Sequence, residues 1–161
     1  MEQSASPPVS DVLISLNIPH RVFKHPGPIR SLEQAARERG QRPGQVVRSI
    51  LFRLSSTQHV MVLVPGPKQI SWQLLRQYLG TNRITMANED EVVQVTGYPT
   101  GAVSPFGLPG PLRLIVDPKV FEEEEISIGS GVRGTTIILL SSDLKRALGP
   151  IEIVSLLNNG D

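Results

Sequence analysis

Residues 46–66 read VVRSILFRLSSTQHVMVLVPG. Two apolar runs rich in Val, Ile and Leu flank a polar turn at residues 55–58. β-Branched side chains suit a pleated, half-buried backbone, and Ser, Thr and Gln between such runs mark a turn. The stretch predicts two adjacent strands. What surrounds it decides the class of fold. Downstream, ISWQLLRQYLG (70–80) predicts a helix closed by Gly80, and NRITMA (82–87) a short strand. NEDEVVQVTG (88–97) predicts a helix capped by Asn88, with acids in the first turn, where free N–H groups favour negative charge. PLRLIVD (111–117) is an apolar strand, and EEEEISIGSG with GTTIILL (122–140) a strand pair around a glycine turn. SSDLKRALG (141–149) is a last helix capped by Ser141 or Ser142, and PIEIVSLLNNGD (150–161) adds one short strand or helix.

Upstream, SLEQAARERG (31–40) is a helix with Ser31 and Gln34 at capping-box spacing, and HRVFKH (20–25) alternates like a strand. SDVLISLN (10–17) is a short helix with Ser10 as its cap, ended by Pro19; residues 1–8 are expected to form a disordered tail. Strands and helices mix without strict βαβ alternation. That pattern predicts a single α+β domain with a mixed sheet.

The totals narrow the function classes. A chain of 161 residues with 39% hydrophobic and 19% charged residues can bury a core without disulfides or metals. A net charge of +1 argues against an extended nucleic-acid footprint, yet allows a protein that holds only the end of an RNA strand. The absence of cysteine excludes disulfides, Cys-ligated zinc and thiol catalysis, and fits a cytoplasmic protein. The opening MEQSASPPVS has no apolar core of a secretory signal, and no apolar run approaches the roughly 18 residues of a membrane span.

TGYPTGAVSPFG (96–107) packs three glycines and two prolines into twelve residues. Such a segment is either a connector or a backbone shaped around a ligand, and composition leaves both open. GSGVRG (129–134) matches the G-x-G-x-x-G pattern, but a strand-like TTIILL follows it where a dinucleotide site needs a helix N-terminus. It is a glycine-rich hairpin, either plain or presenting bare backbone to a ligand. Arg48, inside an apolar strand, faces solvent or points a cation into a cleft; Arg133 is equally ambiguous. His20, His25 and His59 match no metal spacing. His25, at a strand end beside Pro26, is an exposed loop histidine or a site member. Ser104 lies outside any G-x-S-x-G elbow and reads as a turn former. The glutamates at 122–125 read as a solvated sheet edge.

The order of VVRSILF, VMVLVPG, RITMANEDEVVQVTGYPTGAVSPFGL, LRLIVD and ISIGSGVRGTTIILLSSDL resembles the YbaK family over roughly residues 20–148. Its most specific carriers are the TGY…G-x-VSPFG loop after Met86 and Ala87, and the glycine turn followed by a strand and Asp143–Leu144. The family comprises aminoacyl-tRNA deacylases and the editing insertion of bacterial prolyl-tRNA synthetases. The resemblance implies an α+β domain at 9–149 around a mixed, partly barrel-like sheet with surrounding helices, and a C-terminal extension at 150–161. It implies hydrolysis of the ester between a wrong amino acid (cysteine, alanine or serine) and the tRNA 3′ end, without metal or cofactor. Partners are then the aminoacylated tRNA end and, as a further candidate, an aminoacyl-tRNA synthetase; no membrane is involved.

Carried over by motif, the catalytic candidates are Arg48, Gly101 and Gly131. The substrate-binding candidates are Phe23, His25, Ser49, Ala102, Val103, Ser104, Pro105, Phe106, Gly129, Ser130 and Arg133. Arg48 replaces the family's lysine and Ser49 a common threonine; Thr136 stands at the position aligned with an aspartate, and Ala102 at the second position of a Gly-Gly turn. Arginine keeps the charge and binds phosphate well but does not readily release a proton. Two alternatives therefore stand beside an editing hydrolase. One is a non-catalytic relative that binds tRNA ends, an aminoacyl nucleotide or a synthetase; the other is an unrelated small-molecule or regulatory protein on this scaffold.

Overall fold

The computed structural model describes residues 6–158; residues 1–5 of the expected tail lie outside them. Helix α1 (Pro8–Ser15) opens earlier than expected, with Pro8 in the first helical position. Proline's fixed φ is preset for that place and its missing N–H is not needed there. Ser10 is consequently not a cap: it is buried inside the helix, with its hydroxyl 2.7 Å from His20 Nε2. Strand β1 (Arg21–Lys24) and helix α2 (Leu32–Glu38) follow, the latter capped by the Ser31 hydroxyl accepting from Gln34 N–H.

The quoted hairpin forms β2 (Val47–Arg53) and β3 (His59–Pro65), paired antiparallel from Val47 opposite Pro65 to Arg53 opposite His59. Next come α3 (Trp72–Leu79), β4 (Thr85–Met86) and α4 (Glu89–Thr96), whose Asn88–Glu91 capping box is reciprocal. Strands β5 (Arg113–Val116), β6 (Glu125–Gly129) and β7 (Thr135–Leu140), helix α5 (Ser141–Leu148) and strand β8 (Glu152–Ile153) complete the order. No serine caps α5. Strand β7 runs straight into the helix, so Leu140 holds the cap position, and the Ser141 hydroxyl donates to the Glu123 carbonyl instead.

The strands divide into two sheets. One is antiparallel, in the order β1-β7-β6. The other is mixed, in the order β4-β2-β3-β5-β8, with β5 and β8 parallel to β3. A parallel bridge from Val46, the residue before β2, to Ser127 in β6 joins the two sheets. Of the four glutamates, Glu122 and Glu124 are exposed, whereas Glu123 pairs with Arg42 and Glu125 with Arg21.

Strand β3 explains why HVMVLV lacks polar alternation. Met61 and Leu63 enter the core between the sheets, together with Val47, Leu51, Ile126, Ile128 and Ile137. Val60, Val62 and Val64 enter a second core beneath α3, with Phe52, Leu75 and Leu156. A strand covered on both faces is apolar throughout. Each such side chain contributes roughly 1.5–3 kcal/mol by leaving water. Strand β3, packed on both faces, pairs along its length with β2, the wall on which the site is built.

Candidate active site

The two glycine turns meet. Gly129 ends β6 against the loop that carries Ala102 and Val103. A Cβ there would lie 2.9 Å from the Ala102 carbonyl carbon and closer still to the Val103 carbonyl oxygen, so only glycine permits the approach. The Gly131 N–H donates to the Ala102 carbonyl (2.9 Å), and Arg133 donates to the Thr100 carbonyl (2.9 Å) and hydroxyl (3.1 Å). Tyr98 lies beneath both turns. Its hydroxyl donates to the Phe106 carbonyl (2.6 Å), and its ring fills the space a Gly131 side chain would need. Ser104, fully buried, accepts from Phe106 N–H; Ser130, also buried, donates to the carbonyls of Val132 and Thr135. The loop is therefore an anchored structure. Gly101 is its exception: at φ +89°, its missing side chain opens onto free space. The N–H groups of Gly101 and Val103 have no hydrogen-bond partner among the described residues.

That free space adjoins a cavity of about 460 Å³ enclosed by α2, β2, β6, β7 and the glycine loop. Ile29, Leu32, Ala35, Val103 and Ile128 supply its apolar lining. The His25 ring is fully buried on its wall. Nδ1 lies 2.6 Å from Glu38 Oε1, and Arg39 Nη1 donates to Nε2 at 2.9 Å. A guanidinium only donates, so Nε2 must accept and the ring proton sits on Nδ1, facing Glu38. Hydrogen bonds from Gln34 and from His25 hold the Glu38 carboxyl below its ordinary pKa. Arg39 also donates to the Ser127 hydroxyl (3.0 Å), which ties α2 to β6. Burial pulls the Arg39 guanidinium downward, partly offset by Glu38, and burial alone does the same to Arg48. Both remain cations, because arginine's intrinsic pKa is so high. Among the described residues no carboxylate lines the cavity, so its electrostatics favour an anionic or carbonyl-bearing guest.

Arg48 and Ser49 are neighbours on β2 with side chains on opposite faces. Ser49 shares its face with core residues Val47 and Leu51, Arg48 with Ile50 and Phe52. Arg48 lies on the cavity rim and donates through Nη2 to the Lys68 carbonyl. Its Nε and the Ser49 hydroxyl are buried without a partner among the described residues. A buried polar atom without a partner costs free energy unless a ligand or water satisfies it.

Of the residues expected at a site, His25, Arg48, Ser49, Gly101, Val103 and Gly129 line the cavity together. Ala102, Ser104, Pro105, Phe106, Ser130 and Gly131 form the packed framework behind it, and the Gly131 N–H is already committed to Ala102. Phe23 stands beside the site, edge-on to His25 at 4.9 Å between ring centres. Arg133 borders an adjoining hollow of about 510 Å³ with Gly27, Pro28 and Gly101. Thr136 lines the cavity with its hydroxyl spent on the Ile128 carbonyl (2.8 Å). Sequence reasoning missed Arg39 and Ser127. The only signal was a serine inside the apolar ISI of β6, facing inward where a polar partner was required. A broader depression of about 730 Å³ over the outer face of α2 involves neither glycine turn. Among the described residues no three His, Asp or Glu side chains converge as metal ligands, and no helix is long and apolar enough to cross a membrane.

Comparison with known proteins bears on this geometry. The family model described as "Aminoacyl-tRNA editing domain" matches residues 26–147. The chain is 28% identical over 134 residues to the "Multifunctional Ser/Thr-tRNA deacylase ProXp-y" of Escherichia coli (strain K12), covering 81% of this chain and 80% of that protein. It is 32% identical over 88 residues to a proline–tRNA ligase of Citrifermentans bemidjiense, covering 55% of this chain but 15% of the ligase. A solved structure described as a candidate trans-editing enzyme for prolyl tRNA synthetase superposes with a TM-score of 0.84 at 23% identity, over 97% of this chain and all of that one. At that identity the superposition speaks for the fold.

Proposed function

The chain belongs to the aminoacyl-tRNA editing domain family, and on that premise we propose that it hydrolyses the ester joining a wrong amino acid to the 3′-terminal adenosine of a tRNA. The observation that carries this reading is the 460 Å³ cavity beside Gly101, lined by two arginines and no carboxylate. It has room for a small aminoacyl group, and its open side can admit a phosphate-linked ribose. In this reading Arg48 pairs with the terminal phosphate or ribose. Water adds to the ester carbonyl, the bond from the acyl carbon to the ribose oxygen breaks, and the ribose hydroxyl leaves with a proton. The free N–H groups of Gly101 and Val103 face the oxyanion that forms between those events. One such donor is worth roughly 3–4 kcal/mol of transition-state stabilisation. Gly131, with Gly129, fixes that loop by holding Ala102. No lining side chain is an open base: His25 has both nitrogens engaged, and the arginines are protonated. The proton of the attacking water therefore passes to solvent or to a group of the substrate itself, such as its 2′-hydroxyl.

The partnerless Ser49 hydroxyl faces the core side of β2 and supports a guest with a hydroxyl or thiol: serine, threonine or cysteine ahead of alanine. The name of the E. coli relative points to serine and threonine. We place the editing unit at residues 9–149, with 150–161 as its extension, tRNA as its partner and a synthetase as a second partner, in the cytoplasm. The test is a deacylation assay over tRNAs mischarged with serine, threonine, cysteine and alanine. Release of none of them, with tRNA still bound, favours the non-catalytic reading. The observation on that side is Arg48, whose guanidinium is engaged by the Lys68 carbonyl. Activity that appears only in Arg48→Lys would decide for it.

A further inference from the structure

Beyond the aminoacyl cavity, the other face of β2 carries a second hollow. It measures about 250 Å³ and lies between β2, β4 and the start of α3. Arg48, Ile50 and Met86 line both cavities, so the two adjoin at the Arg48 side chain. Phe52, Gln69 and Trp72 complete the hollow. Trp72 is the single tryptophan of the chain and is 36% exposed; Met86 opposite it is 53% exposed. Large apolar side chains left in solvent side by side at a cavity mouth call for an occupant. The Trp72 ring is not loose. Phe52 meets it edge-on at 5.2 Å and 90°, which fixes its plane. Beside it, the Arg48 Nε is buried without a hydrogen-bond partner among the described residues.

We infer that this hollow is a nucleobase subsite, in which a base of the single-stranded RNA 3′ end stacks on Trp72 while its aminoacyl group lies in the neighbouring cavity. The inference rests on the proposed reading that a tRNA end enters the site. Three properties favour a base over a peptide side chain or an aliphatic guest. A flat aromatic held in one plane matches a flat guest, because stacking tolerates any base with a π face. The flanking cation and the Gln69 amide suit the phosphate and the polar base edges that a stacked nucleotide brings. Because the two cavities adjoin at Arg48, a strand anchored by its ester in the first would carry a base toward the second with a phosphate beside the guanidinium. This also accounts for a nearly neutral protein binding RNA: stacking on a fixed ring replaces an extended electrostatic footprint.

The test uses the full chain and its tryptophan fluorescence, excited at the red edge where the two tyrosines do not absorb, so that it reports on Trp72 alone. A hairpin carrying a tRNA acceptor stem with its single-stranded 3′ end is titrated in, and the same hairpin trimmed to a blunt end is the control. Saturable quenching by the first and none by the second is expected. Trp72→Ala should raise KM for aminoacyl-tRNA by roughly 5- to 150-fold, the range that loss of one base–aromatic stack produces, with the loss falling on KM rather than kcat. Trp72→Phe should recover most of it and guards against a folding defect in the alanine variant. Absence of quenching by the single-stranded end, or equal quenching by the blunt hairpin, overturns the subsite. Because the titration uses uncharged RNA, it is independent of hydrolysis. Quenching without deacylation sinks the hydrolase and keeps the subsite; deacylation without quenching does the reverse.

Discussion

Replacing Gly129 by alanine tests the meeting of the two turns directly. The added methyl would come within 2.9 Å of the Ala102 carbonyl carbon and nearer still to the Val103 carbonyl oxygen. Both are backbone atoms of an anchored loop, so no side chain can swing away. The loop must retreat on the order of 1 Å, at an overpacking cost of about 1–3 kcal/mol. In a chain of this size each kcal/mol lowers Tm by roughly 2–4 °C, so the melt should fall by between about 2 and 12 °C. Activity should suffer more than stability, since a displacement of about 1 Å at a reacting centre costs on the order of 100-fold in rate. The assay pairs a thermal melt with single-turnover deacylation. Gly101→Ala is the control of opposite kind: its methyl meets nothing within 4 Å, and only the positive φ resists it. It should lose about 1 kcal/mol in stability, as expected when a Cβ is forced into the left-handed region, yet still intrude on the site. A Gly129→Ala protein that melts within 1 °C of the parent and deacylates at the parent rate would refute the close approach.

Arg39→Ala should cost about 2–5 kcal/mol in urea unfolding, because it leaves both the buried His25 Nε2 and the Ser127 hydroxyl unpaired. An unchanged midpoint would mean that the network does not join α2 to β6. Tyr98→Phe removes the hydrogen bond to the buried Phe106 carbonyl and should cost about 1–2 kcal/mol, with a matching loss of deacylation as the loop loosens. The Glu152 carboxyl, held at about 2 chiefly by two hydrogen bonds from Arg113, gives a pH test. Its folded pKa is depressed, so its contribution is fully present above about pH 4.5 and is lost as pH falls toward 2. The pair is partly exposed, so the contribution is under about 1 kcal/mol. Glu152→Gln should narrow its stability gap to the parent over that window; a gap constant from pH 6 to 2 would contradict the pairing.

Most secondary elements were legible because their signals are local. The Ser31 and Asn88 caps bond to N–H groups three residues away. The hairpin of β2 and β3 closes over the five residues 54–58, and its apolar runs need no distant partner to be recognised. The errors lie where a distant contact overrode a local preference. Ser10 and Ser141 both looked like caps, but His20 and the Glu123 carbonyl claim their hydroxyls. His25 carried no sequence sign of its burial, since the Glu38 and Arg39 that hold it lie 13 and 14 residues further along the chain.

The amino-acid sequence by itself determined an α+β chain with a β2–β3 hairpin, two glycine turns and a cation at position 48. Those are properties of periodicity, capping and turn chemistry, which act within a few residues. Only the tertiary structure decided that the strands split into two sheets, because β1 finds its partner in β7 and β8 joins β5, pairings written in no local pattern. It also sorted the glycines. Gly101 opens onto the cavity, Gly129 makes room for a carbonyl, and Gly131 makes room for the Tyr98 ring. In sequence all three are the same residue in similar turns. What separates them is the neighbour that occupies the place of the missing side chain, and packing alone supplies that neighbour.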